Sequence, residues 1–195
     1  MKSLYYLPVA MLTGLMLLSQ GCVGRVIGEG AEKTLGPKGA YFQEKPLAAS
    51  KDMKVLGPYK KFELGTVKND YGKNVPADFI PKFREEFAKQ VKDAKLGEEG
   101  AGKTLLVNVN VIHYETADMA DNVFGPLEQV VAHVELVDKD TGQVLASGNA
   151  IGRTGKSVGM GVDKKAIGLA RGIVKWIGDY HPKGKEAEEK KQEKK

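Results

Sequence analysis

Hydrophobic and polar residues alternate along four segments in the middle of the chain, and this pattern predicts four β-strands. In the clearest segment, residues 104–115, one side is entirely aliphatic and consists of Leu105, Val107, Val109 and Val111. Residues 59–67 alternate in the same way. Residues 129–137 and 143–151 are predicted to form a β-hairpin, because the sequence DKDTG between them is typical of a tight turn.

Hydrophobic residues spaced three and four apart predict two helices. The first lies within residues 76–97 and has an apolar face of Phe79, Ile80, Phe83, Phe87, Val91 and Ala94. We expect Asp78 to cap its start and Gly97 to end it. The second helix, near the end of the chain, has a stripe of Ala166, Ala170, Ile173, Ile177 and Tyr180. Gly168 and Gly172 on this helix are expected to permit close packing on a sheet.

The order strand, helix, strand, strand, strand, helix predicts an α+β two-layer sandwich. Its sheet is mixed or antiparallel with about four strands, and both helices cover one face. We expect this domain to span residues 53–181. Residues 22–52, rich in glycine and lysine, are predicted to be a flexible tether in which residues 40–42 dock on the domain. Residues 182–195 are predicted to be a charged, disordered tail.

Residues 1–21 have the layout of a secretory signal, with Lys2 before an apolar run over residues 4–18. The run ends in LSQGC, and its Cys22 is the only cysteine of the chain, so an internal disulfide is excluded. This stretch resembles a bacterial lipoprotein signal, although Leu18 lies one residue further from the cysteine than is usual. The resemblance implies that Cys22 becomes the acylated first residue of the mature protein. The alternative is an uncleaved anchor with an incidental cysteine.

The residue after the cysteine bears on which membrane holds the protein. In lipoproteins of enteric bacteria an Asp there commonly retains the protein on the inner membrane, and this chain has Val23 instead. We therefore expect lipid anchoring in the outer membrane, facing the periplasm, with the inner membrane as the alternative. Stable anchoring takes more than one acyl chain, as bacterial lipoproteins typically carry.

The charge of the chain argues against nucleic acid as a partner. The formal net charge is +5 over 195 residues, and residues 182–195 contribute six lysines and four glutamates to it. The globular part is therefore close to neutral, whereas nucleic-acid binding needs a dense basic surface.

Two stretches match the phosphate-loop pattern of nucleotide-binding proteins, GEEGAGKT at residues 97–104 and, more loosely, AIGRTGKS at residues 150–157. A working phosphate loop follows a strand and opens a helix, so that backbone amides and the helix dipole hold the phosphates. The first match has the reverse order, because it follows a helix and Lys103 enters a strand. We therefore expect neither a nucleotide site nor any other cofactor.

The remaining candidate chemistry is sparse. By alternation, His113 is expected on the apolar side of its strand and His133 on the polar side, while His181 begins the tail, so we predict no zinc site. Carboxylates cluster around one loop at Glu115, Asp118, Asp121 and Glu128. They could hold calcium or a basic partner, but their spacing matches no known cation loop, which favours a solvated acidic loop. No catalytic motif is present, so we predict that the protein is not an enzyme.

The glycine-rich residues 148–161 have two interpretations, which are a mobile loop facing a partner and a plain flexible connection. The strand LLVNVNVIHYE, the hairpin VELVDKDTGQVLASG and this entry to the last helix resemble small bacterial envelope lipoproteins of unassigned function. They are also similar to the α/β domains of the curli-export lipoprotein and the amino-terminal domain of TolB. The resemblance implies envelope assembly through rings or partner complexes, without catalytic residues.

The sequence therefore predicts a non-catalytic, lipid-anchored periplasmic binding or scaffold module. It would contact envelope proteins through a sheet edge, the acidic loop or the glycine-rich loop. The alternative is a homo-oligomeric component of an outer-membrane export, secretion or assembly complex.

Overall fold

The computed structural model describes residues 37–47, 53–97, 101–115, 128–154 and 161–182. These residues form five strands and two helices, with a short 3-10 helix at Gly72–Asn74. In chain order the elements are β1 (Lys38–Lys45), β2 (Tyr59–Asn69), α1 (Phe79–Asp93), β3 (Lys103–Tyr114), β4 (Gln129–Asp138), β5 (Val144–Arg153) and α2 (Gly161–Asp179). The predicted signal and almost all of the predicted tail lie outside the described residues.

The five strands form one mixed sheet in the order β1-β5-β4-β3-β2. The β2 and β3 strands are parallel and are joined through α1, whereas every other neighbouring pair is antiparallel. Both helices pack on the same face of the sheet and share one hydrophobic core with it. The predicted α+β two-layer sandwich is therefore confirmed, with five strands where about four were expected.

The additional strand is β1, which lies inside the segment that was predicted to be a tether. Residues 40–42, expected to dock on the domain, form its centre. Hydrophobic alternation does not reveal this strand, because its inward positions are Gly39, Tyr41 and Gln43. The Gln43 amide donates to the hydroxyl of Tyr180 at 2.7 Å, so a polar residue occupies a position on the helix-covered side.

The strand predicted over residues 104–115 and the predicted hairpin are both confirmed. The inward side chains of β3 are fully buried, whereas Asn108 and Asn110 lie on the opposite face. The β4 and β5 strands pair antiparallel across the turn at residues 139–143, in which Gly142 has a positive φ of 69°. Alternation thus identifies the strands whose two faces differ most in environment.

The α1 helix has the predicted apolar face, on which Phe79, Phe83 and Phe87 are buried. Its two ends differ from the prediction. Asp78 precedes the helix, but its side chain accepts no capping hydrogen bond from a backbone amide, and its carboxylate pairs with Lys82 at 2.9 Å instead. The helix ends at Asp93, and the left-handed conformation that follows belongs to Lys95, with a φ of 53°, instead of Gly97.

The α2 helix lies against the backbone of the sheet, as its glycines predict. A methyl group on Gly168 would lie 2.8 Å from the carbonyl oxygen of Lys38, and one on Gly172 would lie 2.7 Å from that of Ala40. At these two positions there is therefore no room for any side chain larger than the hydrogen atom of glycine. The aromatic rings of Tyr41 and Trp176 stack beside this contact, with 5.5 Å between their centroids.

Asp138, which is only 3% exposed, lies at the end of β4 next to the β4–β5 turn, and its carboxylate bonds to three neighbouring segments of the chain. One oxygen accepts from the Lys103 ammonium at 2.8 Å and from the Tyr59 hydroxyl at 2.7 Å. The other accepts from the backbone amides of Asp140 and Thr141, both at 3.0 Å. The hydrogen bonds from Lys103, first, and Tyr59 hold the pKa of Asp138 well below its ordinary value.

We predict that Gly39→Ala destabilises the protein by about 1–3 kcal/mol, because the added methyl group overlaps the backbone of Gly168 and Gly172. Gly97→Ala is the matched control, since within the described residues its methyl group meets only the Lys60 carbonyl oxygen at 3.7 Å. Its effect should stay within about 0.5 kcal/mol. Urea denaturation of both variants measures the difference, and equal stability losses would show that the glycine contact is not tight.

We predict that Asp138→Asn lowers the melting temperature at neutral pH. We also predict that the melting temperature of this variant decreases less on acidification than that of the unsubstituted protein. The carboxylate stabilises the fold above its ordinary pKa of 3.8, and this contribution is lost as the pH falls from that value towards the lower folded pKa. Thermal unfolding between about pH 7 and pH 3 measures both effects. Asp140→Asn, in the same turn but exposed, is the control. Identical pH profiles for the two variants would contradict the assigned role.

Candidate functional site

The phosphate-loop match at residues 97–104 does not have the context of a nucleotide site. The α1 helix precedes it and Lys103 begins β3, which confirms the predicted reverse order of elements. The Lys103 ammonium is bonded to Asp138 and lies 5.9 Å from the centroid of the Tyr59 ring. Lys103 therefore has a structural partner inside the fold. Residues 98–100 of this match and 155–157 of the second lie outside the described parts of the chain.

The three histidines have separate environments. The prediction for His113 was wrong, because a register shift between Val111 and His113 directs Tyr114 into the core instead. The partly exposed His113 ring packs edge-on against Tyr71, with 5.3 Å between centroids. His133 lies on the polar side, as predicted, and His181 is buried with a ring nitrogen 3.2 Å from the Tyr59 carbonyl oxygen. The described residues contain no group of three or more potential metal ligands.

The predicted acidic loop is described only at its two ends. Glu115 and Glu128 flank it, and both approach the ammonium of Lys165, the first through its backbone carbonyl oxygen and the second through its carboxylate. Asp118 and Asp121 lie outside the described residues, as do residues 155–160 of the predicted glycine-rich loop.

A sheet edge was one of the predicted contact surfaces. Both edges of the sheet are poorly suited to pairing with another strand. The β1 edge has an irregularity between Gln43 and Lys45, and the β2 edge has two, one of them between Leu64 and Val67. Exposed charged side chains also alternate along β2. Bulges and charges on edge strands discourage pairing with a further strand, so the edges are weak candidates for a contact surface.

The sheet face opposite the helices is the stronger candidate, and we call it the open face. One register row crosses all five strands and consists of Lys68, Asn110, His133, Asn149 and Phe42. Directly paired residues share a face, so these side chains form a line across the sheet. The helices leave this face uncovered in the part of the chain that the structure describes.

Hydrogen bonds hold the polar side chains of the open face in place. The Asn110 amide donates to Asp70 at 2.6 Å, and the Asn149 amide donates to Glu44 at 2.8 Å. The other Glu44 oxygen lies 3.6 Å from Nδ1 of His133, so Glu44 reaches across β5 to β4. These contacts fix the orientation of the Asn110, Asn149 and Glu44 side chains on the open face.

A shallow depression of about 280 Å³ lies on the half of the open face next to β2. Its lining side chains include Thr66, Lys68, Asp70, Asn110, His133 and Glu135. The lining contains cationic, anionic and neutral amide groups together. Such a surface presents both hydrogen-bond donors and hydrogen-bond acceptors. Positive and negative side chains occur together in it, as they do in the near-neutral globular part as a whole.

Two side-chain oxygens of the row have no hydrogen-bond partner. Oδ1 of Asn110 and Oδ1 of Asn149 are both inaccessible to solvent and unpaired among the described residues. Buried polar atoms in proteins are usually satisfied, so these two oxygens are exceptions among the described residues. They lie on either side of His133 in the row.

Sequence analysis missed the open face as a unit. The outward positions of Asn108 and Asn110 were visible in the alternation of β3. Their alignment with His133 and Asn149 depends on strand register and order, which the pattern within a single strand does not contain.

Neither helix in the described parts of the chain combines the length and hydrophobicity needed to cross a membrane. No protein-family model matches the chain, and no curated protein matches it.

Several solved structures are similar to the chain at low identity. A variant of PelC from Paraburkholderia phytofirmans, a dodecamer, has a TM-score of 0.48 and 17% identity, covering 71% of this chain and 96% of its own. A second PelC dodecamer from the same organism has a TM-score of 0.46 and 16% identity over the same shares. A candidate lipoprotein from Caulobacter crescentus CB15 has a TM-score of 0.34 and 13% identity, covering 66% of this chain and 91% of its own. Similarity at this level does not carry over a function.

Proposed function

We propose that the protein is a non-catalytic binding or scaffold module of the bacterial cell envelope that contacts its partner through the open face. The observation that supports this most is the row of side chains across the uncovered face of the sheet, in which hydrogen bonds to Asp70 and Glu44 hold Asn110 and Asn149 in place. The sheet holds these groups at fixed spacings. Because the side chains are already ordered, they would lose little conformational entropy when a partner binds.

The composition of the open face favours a protein partner. Phe42 at one end of the row is 62% exposed, and Ile112 of β3 is 41% exposed. Aromatic and aliphatic groups beside polar ones are typical of protein interfaces, in which the polar groups fix orientation and the apolar groups supply most of the affinity. This supports contacts with an envelope protein.

The envelope location and the lipid anchor rest on the amino-terminal sequence. Cys22 lies outside the described residues, so the proposal of acylation depends on its position after an apolar run and on its being the only cysteine. We place the anchor in the outer membrane, facing the periplasm, because Val23 follows the cysteine.

A homo-oligomeric component of an export, secretion or assembly complex is the second candidate. The exposed Phe42 favours it to the same extent, because a second copy of the chain could cover this residue as well as a different protein could. The two functions differ in the identity of the partner and share the surface.

We predict that a photoreactive amino acid at Phe42, introduced in cells, crosslinks to a partner, whereas the same group at Lys89 on α1 does not. The Lys89 side chain is 60% exposed on the helix layer and provides the matched control. Mass spectrometry of the product distinguishes the candidates, since a product containing two copies of this chain indicates the oligomer. Crosslinking from Lys89 alone, or equally from both positions, would argue against the open face.

We predict that a fatty-acid analogue labels the protein and that Cys22→Ala abolishes the label, because the thiol is the only acceptor of its kind in the chain. The label is read by gel fluorescence, with total protein as the loading control. Labelling that survives the substitution would show that the anchor does not depend on Cys22.

A further inference from the structure

The fold contains a buried lysine that the open face does not use. Lys165, in the second turn of α2, is 1% exposed. Its ammonium lies 2.5 Å from a carboxylate oxygen of Glu128, donates to the backbone carbonyl oxygen of Glu115, and lies 4.1 Å from the centroid of the Tyr114 ring. Removing an ammonium from water is costly, so a lysine at this position needs all three contacts.

These contacts join α2 to the end of the sheet that is opposite the Asp138 turn. Glu115 follows β3 directly and Glu128 precedes β4 directly. The Glu128 carboxylate also faces the start of the helix, because a methyl group on Gly161 would lie 2.5 Å from its oxygen. A carboxylate there is favoured by the helix dipole. One ion pair thus connects the ends of two strands and the first two turns of α2.

Two polar groups of this region are unpaired among the described residues. These are the hydroxyl of Tyr114, a residue 3% exposed, and the hydroxyl of Thr154, 2% exposed. Burial lowers the pKa of Lys165, against the opposing effect of the Glu128 hydrogen bond. Within the described residues the Lys165 ammonium has two oxygen partners, from Glu128 and Glu115, whereas the Asp138 carboxylate accepts four hydrogen bonds.

The rest of α2 is held by different contacts. Gly168 and Gly172 bring the middle of the helix against β1, and the stacked rings of Tyr41 and Trp176 follow. After the helix, the carbonyl oxygen of Tyr180 accepts from the Leu56 amide at 3.0 Å. The contacts of Gly172, Trp176 and Tyr180 lie beyond the first two turns. The first two turns are themselves also held by the Lys82–Asp163 ion pair at 2.5 Å and by the close approach of the Lys165 carbonyl oxygen to Gly152.

We propose that the Lys165–Glu128 ion pair is a latch, and that this end of the molecule opens locally when the pair is broken while the Asp138 end stays closed. The opening separates the first two turns of α2 from the ends of β3 and β4. This inference goes beyond the proposed function and does not depend on the identity of a partner.

Hydrogen exchange of the full-length protein in detergent, read by mass spectrometry, tests the latch. Lys165→Met keeps the length of the side chain and removes its charge. We expect exchange about tenfold faster in peptides containing the Glu115 and Thr154 amides, which bond to the Gln129 and Glu128 carbonyl oxygens at 2.9 and 3.0 Å. Exchange at the Asp140 and Thr141 amides should remain unchanged.

Lys175→Met is the matched control, because Lys175 is an exposed lysine of the same helix, and it should leave both regions unchanged. Faster exchange over the whole molecule in Lys165→Met, or no change at the Glu115 and Thr154 amides, overturns the latch.

Glu128→Gln provides an independent test if Lys165→Met does not fold. It removes the partner charge and nearly preserves the side-chain shape, so the same local acceleration is expected. Exchange in Glu128→Gln that matches the unsubstituted protein, or that rises equally at the Asp140 and Thr141 amides, also overturns the latch.

Discussion

The backbone of α2 lies directly on the backbones of β1 and β5, and the other layers of the fold depend on this contact. Glycines on both sides make it possible, Gly168 and Gly172 on the helix and Gly39 and Gly152 on the strands. Because the helix approaches so closely, β1 is held at the edge of the sheet although few of its side chains are hydrophobic. The contact also commits α2 to one face, with α1 beside it in the same layer. The helices therefore leave the opposite face of the sheet uncovered in the part of the chain that the structure describes.

The two ends of the sheet illustrate different ways of burying charge. At one end Asp138 accepts four hydrogen bonds, two from backbone amides of its own turn and two from Tyr59 of β2 and Lys103 of β3. At the other end Lys165 depends on one carboxylate, one carbonyl oxygen and an aromatic ring, all from outside its own helix. The two backbone-amide hydrogen bonds of Asp138 last as long as its turn keeps its shape, whereas every contact of the Lys165 ammonium requires α2 to stay against the ends of β3 and β4. This difference is the reason for assigning the proposed local opening to the Lys165 end.

The elements that sequence analysis predicted correctly are those with one apolar, buried face and one polar, exposed face. Leu105 to Val111 alternate with outward asparagines, and Phe79, Phe83 and Phe87 recur at helical spacing, so β3 and α1 were clear. The β1 strand was assigned to the tether because glycine and glutamine occupy inward positions, where the helix backbone and a tyrosine hydroxyl replace hydrophobic contacts. His113 was placed on the wrong side because a single irregularity in β3 reverses the alternation after it. The row on the open face required strand order and register, which are tertiary properties.

The geometry of the open face determines the kind of recognition it can support. Its polar groups come from five strands, so no single loop movement can create or remove the row, and their spacing is set by the distance between strands. Asn110 and Asn149 lie on either side of His133, and hydrogen bonds to Asp70 and Glu44 fix the orientation of their side chains. Phe42, at the end of the same row, is an exposed apolar group beside these ordered polar ones. The proposed partner would therefore meet polar groups in positions that the sheet sets, next to an apolar group that can supply affinity.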